Sequence, residues 1–160
     1  MSKYQLTERE RKFLLAGDQV DTGGLPYKQI TDYYLNGAML RFRMVADDTG
    51  EQYKLTQKTP LTTPGESAIT TIYLDKQAFT MLNIVDAVMV SKTRFLLELG
   101  GLIVGLDHYR TGADELWLAE VEFSSAEAMQ NFELRLPYLR EVTGLPEYDG
   151  YVLAKRFRQN

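Results

Sequence analysis

The sequence predicts an α+β protein that is mainly β: a closed eight-stranded antiparallel β-barrel, a tunnel, with helices packed on the outside. Three observations predict it. Short alternating or apolar segments separated by turn residues dominate the chain and outnumber helical patterns. The intervening turns are tight and rich in residues that accept positive φ, so neighbouring strands pair as antiparallel hairpins. Several strands carry paired charges on one face, two of them, the Arg41 and Glu120 strands, opposite large apolar residues, and closing the sheet separates an interior from an exterior that helices must cover.

Taken in order, residues 8–16 form the first strand, with Glu8, Glu10 and Lys12 on one face. Residues 27–35 follow, and Asn36-Gly37 turns them into residues 38–46. There LRFRM sends Arg41 and Arg43 to one side and Leu40, Phe42 and Met44 to the other. Asp47-Asp48-Thr49-Gly50 leads into residues 51–58, where Lys54, Thr56 and Lys58 share a face and Lys54 reads as a solvated turn-edge residue. A Pro/Thr/Gly-rich loop at 59–66 precedes the strand 67–74, after which Asp75 caps a short helix over KQAFTML. Residues 87–97 carry Lys92 and Arg94, Gly100-Gly101 turns them into 102–109, and Thr111-Gly112 leads to 116–123. In that last strand Trp117, Ala119, Val121 and Phe123 point away from Glu120 and Glu122. Ser124 with Glu127 reads as a capping box opening a helix over roughly 125–134, with Ala128, Phe132 and Met129 on one face. Another short helix is expected over 137–142, and 151–157 closes the chain as a segment of either type.

The 160 residues, 44% hydrophobic and 25% charged, fit one compact domain over 1–160 that buries its own core. No cysteine is present, which excludes disulfides, thiolate metal centres and thiol catalysis. The single histidine, His108, excludes a multi-histidine site within one chain, so any metal must be held mainly by oxygen. A net charge of -4 gives no bulk attraction for nucleic acid or anionic membrane, and neither is expected as a stable partner. The start, MSKYQLTERERKF, has no apolar signal region and no run is long enough to span a bilayer; a cytoplasmic location is expected. A homodimer is left open.

A solvated outer face is the ordinary reading of one charged strand face. Repeated over strand after strand, with apolar residues behind, it points instead to a polar interior. Lys12, Arg41, Arg43, Lys58, Lys92 and Arg94 would repel one another there unless a multiply charged anion joined them, and a polyphosphate answers that need. Glu8, Glu10, Glu120 and Glu122 would repel the same anion directly, which points to hard divalent cations between them, Mg2+ or Mn2+. His108 alternates outward and is not assigned proton transfer. Trp117 is expected in the core beneath a helix, and Tyr33 and Tyr34 as packing residues or a gate at the tunnel mouth.

These motifs resemble the triphosphate tunnel metalloenzymes, the CYTH superfamily. Glu8-Arg9-Glu10-Arg11-Lys12 is similar to its ExExK opening strand. Tyr34-Leu35, Arg41-Phe42-Arg43, Leu55-Thr56-Gln57-Lys58, Lys92-Thr93-Arg94-Phe95, Asp107-His108-Tyr109 and Leu118-Ala119-Glu120-Val121-Glu122-Phe123 follow in family order, with Glu141-Val142-Thr143, Tyr151 and Leu153-Ala154 at the end. The resemblance implies a metal-dependent triphosphatase acting on the terminal phosphate of a triphosphate-containing small molecule. Inorganic tripolyphosphate is the substrate of most small bacterial members, while adenylate cyclase (ATP to cyclic AMP) and a non-catalytic binding module are the alternatives. It assigns Glu8, Glu10, Asp107, Glu120 and Glu122 to catalysis and metal, and Lys12, Arg41, Arg43, Lys58, Lys92 and Arg94 to substrate. One departure stands out: Ser67, Ile69 and Thr71 occupy the places of the family's Arg-x-Glu-x-Glu fifth strand, and Asp32 replaces its usual Gln.

Overall fold

The computed structural model describes residues 3–36, 38–82 and 85–158. Its strands are β1 (Leu6–Leu15), β2 (Tyr27–Leu35), β3 (Leu40–Asp47), β4 (Gly50–Pro60), β5 (Glu66–Leu74), β6 (Ala87–Leu99), β7 (Leu102–Thr111), β8 (Asp114–Glu122) and the two-residue β9 (Arg140–Glu141). The helices are α1 (Lys76–Met81), α2 (Ala126–Asn131) and α3 (Gly150–Phe157). The strands run in the order β5-β4-β3-β2-β6-β7-β8-β1, every neighbour antiparallel, and β5 pairs back onto β1 to close the barrel. Closure removes the exposed edges that an open sheet would present.

The short turns explain much of this order. Gly100 and Gly101, at φ 58° and 81°, form the two-residue hairpin loop between β6 and β7, a geometry that side chains bearing a Cβ resist. Asp47 Oδ1 accepts the Thr49 amide at 2.9 Å and holds the β3–β4 turn. Gly37 of the expected third turn lies outside the described residues.

Two helices cover the outer face. Phe79 of α1 packs on Phe42 and Tyr53, where Tyr33 stacks on Phe42 at 4.8 Å, so Tyr33 is an outer packing residue. Met129 of α2 joins Phe13, Val121 and Phe123. The helix α3 does something different. Its Leu153, Ala154 and Phe157 pack against Val90, Tyr109 and Leu118, which alternate in phase with Lys92, Asp107 and Glu120 and so face inward. The interior is therefore apolar at one end, plugged by α3, and charged beyond it. Gly150, the first residue of α3, permits the seal, since a Cβ there would stand 2.0 Å from the Tyr34 hydroxyl.

Three local expectations are corrected. Residues 137–142 form no helix. The edge of β1 beyond its pairing with β5 is free at that point, and it takes up this segment through Leu139 N to Leu14 O and Val142 N to Lys12 O, both 2.8 Å, with β9 between. The cap of α2 is Ser125, extended at φ -144° and accepting the Ala128 amide at 3.1 Å, rather than Ser124, and the helix ends at Asn131. Trp117 lies under the one-turn 3-10 helix Gly17–Gln19 but is half-buried at the margin of the core rather than within it, and stacks on His108 at 4.1 Å. His108 faces outward as expected and meets Glu115 at 2.7 Å. No helix among the described residues is long and apolar enough to cross a membrane.

Candidate active site inside the barrel

The period of two that shapes each strand puts every candidate site residue on the inner face. On β1 and β8, Glu10 stands opposite Glu122 and Lys12 opposite Glu120. On β2, β3 and β4, Asp32 stands opposite Arg43, and Arg43 opposite Lys54. On β6 and β7, Arg94 stands opposite Asp107 and Lys92 opposite Tyr109. One wall thus gathers the glutamates and the walls facing it gather most of the cations.

Two buried aspartates anchor arginines. Arg43 donates from Nε and NH2 to Asp32 at 2.5 and 2.7 Å, and Arg41 Nε lies 3.7 Å from the same carboxylate. Arg94 repeats the arrangement on Asp107, from Nε at 2.5 Å and NH2 at 2.6 Å, while Lys92 Nζ adds a third contact at 2.5 Å. In each case the outer edge of the fork is spent on the aspartate and NH1 is left for another acceptor. Gly105 makes room for the second pair, because a Cβ there would lie 2.9 Å from Arg94 Nε. Arg94 also reaches Glu120.

The titration behaviour follows from these partners. Burial alone would raise the Glu120 and Glu10 carboxyls, but Lys92, Lys12 and Arg94 around the first, and Lys12 and Lys58 around the second, outweigh it and hold both low. Burial would lower Lys58, yet Glu10 and Glu8 raise it. Burial pushes Lys92 down despite Asp107 and Glu120. Asp32 is held down at about 2, because Arg43 and Arg41 overcome its burial. An unfolded aspartate titrates near the ordinary 3.8, so the charged Asp32 stabilises the fold above that pH, and this stabilisation is lost as pH falls through about 2. Asp32→Asn is expected to flatten the fall in Tm between about pH 4 and pH 2. An unchanged slope would contradict the pairing.

Two groups remain electrostatically unbalanced. Burial together with Glu8 and Glu10 raises Glu122 from its ordinary value, and burial together with Arg43 and Arg41 lowers Lys54. Glu8 Oε2, although buried, accepts no hydrogen bond of good geometry. Glutamate oxygens in surplus on one wall and an ammonium in surplus on the other are the chemistry of a site for a hard cation beside a polyanion. Glu8, Glu10 and Glu122 fit the cation. Among the described residues no three such side chains already converge at ligating distance, since all the candidate acids except Glu122 are turned toward lysine or arginine.

A comparison with solved structures carries the decision. The inorganic triphosphatase NE1496 is 31% identical, aligned over 93% of this chain and 95% of that chain with a TM-score of 0.60. The chain belongs to the CYTH superfamily of triphosphate tunnel metalloenzymes. A putative adenylate cyclase from Bacillus halodurans (16% identity, 77% of this chain and 82% of that one, TM-score 0.56) shares the fold. So does a protein from Hippeastrum described as a putative adenylyl cyclase with a dominant triphosphatase activity (14%, 77% and 82%, 0.57). No protein-family model matches the chain, and no curated protein matches it.

Within this CYTH barrel, sequence reasoning undervalued three residues. Lys54 is not a solvated turn residue but the cross-strand neighbour of Arg43, and its shared alternation with Lys58 was the available signal. Asp32 is the buried counter-ion of Arg41 and Arg43. Tyr34 lies inside, near the plugged end, against Gly150. The inner face of the fifth strand is uncharged: Ser67 stands opposite Glu8, Ile69 opposite Lys58, and Thr71 hydrogen-bonds Thr56 at 2.9 Å.

Proposed function

We propose that this CYTH protein is a cytoplasmic, divalent-metal-dependent triphosphatase that hydrolyses inorganic tripolyphosphate to pyrophosphate and phosphate. The observation that carries the reading is an opposed imbalance in a barrel closed at one end: among the described residues Glu122, exposed at the end of β8 opposite Glu10, is the candidate acid with no lysine or arginine partner, and Lys54, opposite Arg43, has no carboxylate partner. Its 31% identity to an inorganic triphosphatase over nearly the whole chain supports the substrate class.

Arg41, Arg43, Lys54, Lys92 and Arg94, with Lys12 and Lys58, hold the phosphate oxygens, and Asp32 and Asp107 fix the guanidinium planes so that little reorganisation accompanies binding. Glu8, Glu10 and Glu122, with Glu120 beside them, hold Mg2+ or Mn2+. A cation bound there supplies Lewis-acid neutralisation of the charge that develops on phosphate oxygens. The apolar plug of α3 keeps water out of one end, so substrate and attacking water share the open one. Asp107, spent on Lys92 and Arg94, acts in this scheme as a positioning residue more than as a metal ligand.

A second reading has one observation in its favour. The inward face of β5 carries no carboxylate, which suits a module that binds a triphosphate without turnover. The test is a panel of tripolyphosphate, ATP, GTP and thiamine triphosphate with Mg2+ and with Mn2+, followed for binding and products. Phosphate release, fastest from tripolyphosphate and abolished by chelator, is the expected result. Tight binding with no phosphate release would replace the triphosphatase by the binding module, and cyclic AMP with pyrophosphate from ATP would replace it by a cyclase.

A further inference from the structure

Glu8 and Glu10, the two glutamates of β1 that face the interior, are bridged by one ammonium. Lys58 Nζ lies 2.7 Å from Glu10 Oε1 and pairs with Glu8 Oε2. Lys58 reaches past β5 to β1 because of the strand between them. Its register partner on β5 is Ile69, which offers no charge, and the two acids of β1 are its ion-pair partners among the described residues. Glu8 Oε2 gains charge neutralisation from this contact but no well-directed hydrogen bond, as expected of an anion held by a cation that is not its ideal partner.

We propose that Lys58 is the place-holder for the divalent cation, and that it makes the site selective for metal arriving with a polyphosphate over metal alone. The proposal rests on the triphosphatase reading of this interior. While the ammonium sits between Glu8 and Glu10, a divalent ion meets both an occupied pair of ligands and a like charge. A polyphosphate offers Lys58 another partner, and its departure frees both carboxylates. Because coupling between two ligands is reciprocal, metal in turn strengthens polyphosphate binding by releasing Lys58 to it. The uncharged Ile69 is part of the device, since it leaves Lys58 no other resting place.

The experiment is a calorimetric titration of the full chain with Mn2+ alone, for wild type, Lys58→Met and Lys58→Gln, repeated with imidotriphosphate, a non-hydrolysable tripolyphosphate. Either variant is expected to bind Mn2+ alone about tenfold more tightly than wild type, corresponding to about 1.4 kcal/mol. Imidotriphosphate should raise the Mn2+ affinity of wild type by about the same factor and that of the variants by clearly less, after correction for the complex formed in solution. Equal affinity of wild type and a folded variant for Mn2+ alone would overturn the proposal, and so would absence of Mn2+ binding by every form. Should both variants unfold, wild type alone decides: the absence of coupling between Mn2+ and imidotriphosphate overturns it. A wild type that shows the coupling yet releases no phosphate from tripolyphosphate would defeat the hydrolytic reading and leave the place-holder standing.

Discussion

Glu10→Gln is expected to lower tripolyphosphate turnover by roughly 100-fold or more while leaving thermal stability nearly unchanged. The loss of activity follows from the chemistry of a hard divalent cation, which needs anionic oxygen, whereas an amide oxygen keeps the size and loses the charge. The small effect on stability follows from the partners. Lys12 keeps Glu120 at 3.4 Å and Lys58 keeps Glu8, so neither ammonium is left alone. The like-charge contact with Glu122 across the β1–β8 register is relieved at the same time. Turnover and Tm measured on the same preparation decide the matter. Undiminished turnover would remove Glu10 from the metal site, and a collapse in Tm would make its role structural.

The second large effect concerns Asp107 and is read in stability. Asp107 has 0% exposure and receives Lys92 and both nitrogens of the Arg94 fork. Asp107→Ala leaves those cations buried with Glu120 as their remaining acid, and removing one member of such a cluster typically costs about 3–5 kcal/mol. Urea denaturation of the metal-free protein should show that loss, with Asp107→Asn falling between the two. A metal-free stability close to wild type would mean that Asp107 is not neutralising its neighbours and would return it to the metal-side acids of the sequence reading.

These expectations also mark how far the amino-acid sequence reached. The inward and outward faces of each strand were legible because side-chain alternation is a local property of an extended backbone, set by sterics between adjacent residues. Glu8, Glu10 and Lys12, Arg41 and Arg43, and Lys92 and Arg94 therefore stood on the inner face before any pairing was known. The glycine and aspartate turns likewise announced antiparallel neighbours, since positive φ is a property of single residues.

What the tertiary structure alone decided is which charge meets which. Lys58 reaches Glu10 across 48 residues and Arg11 reaches Glu141 across 130, contacts that depend on the register between strands remote in the chain. Asp107 looked like one more carboxylate in an acidic set until β6 placed two cations against it. Lys54 looked solvated until β3 brought Arg43 beside it. Residues 137–142 were read as a helix from their local pattern, and the free edge of β1 drew them into an extended backbone instead. The tail 151–157 carried the pattern of a helix or a strand, and became α3 because inward-facing Val90, Tyr109 and Leu118 needed an apolar cover at one end of the barrel. The sequence by itself thus determined a barrel with a charged interior, a consequence of local periodicity, whereas the neutralised pairs, the unbalanced groups and the plugged end arise only where distant segments meet and exclude water together.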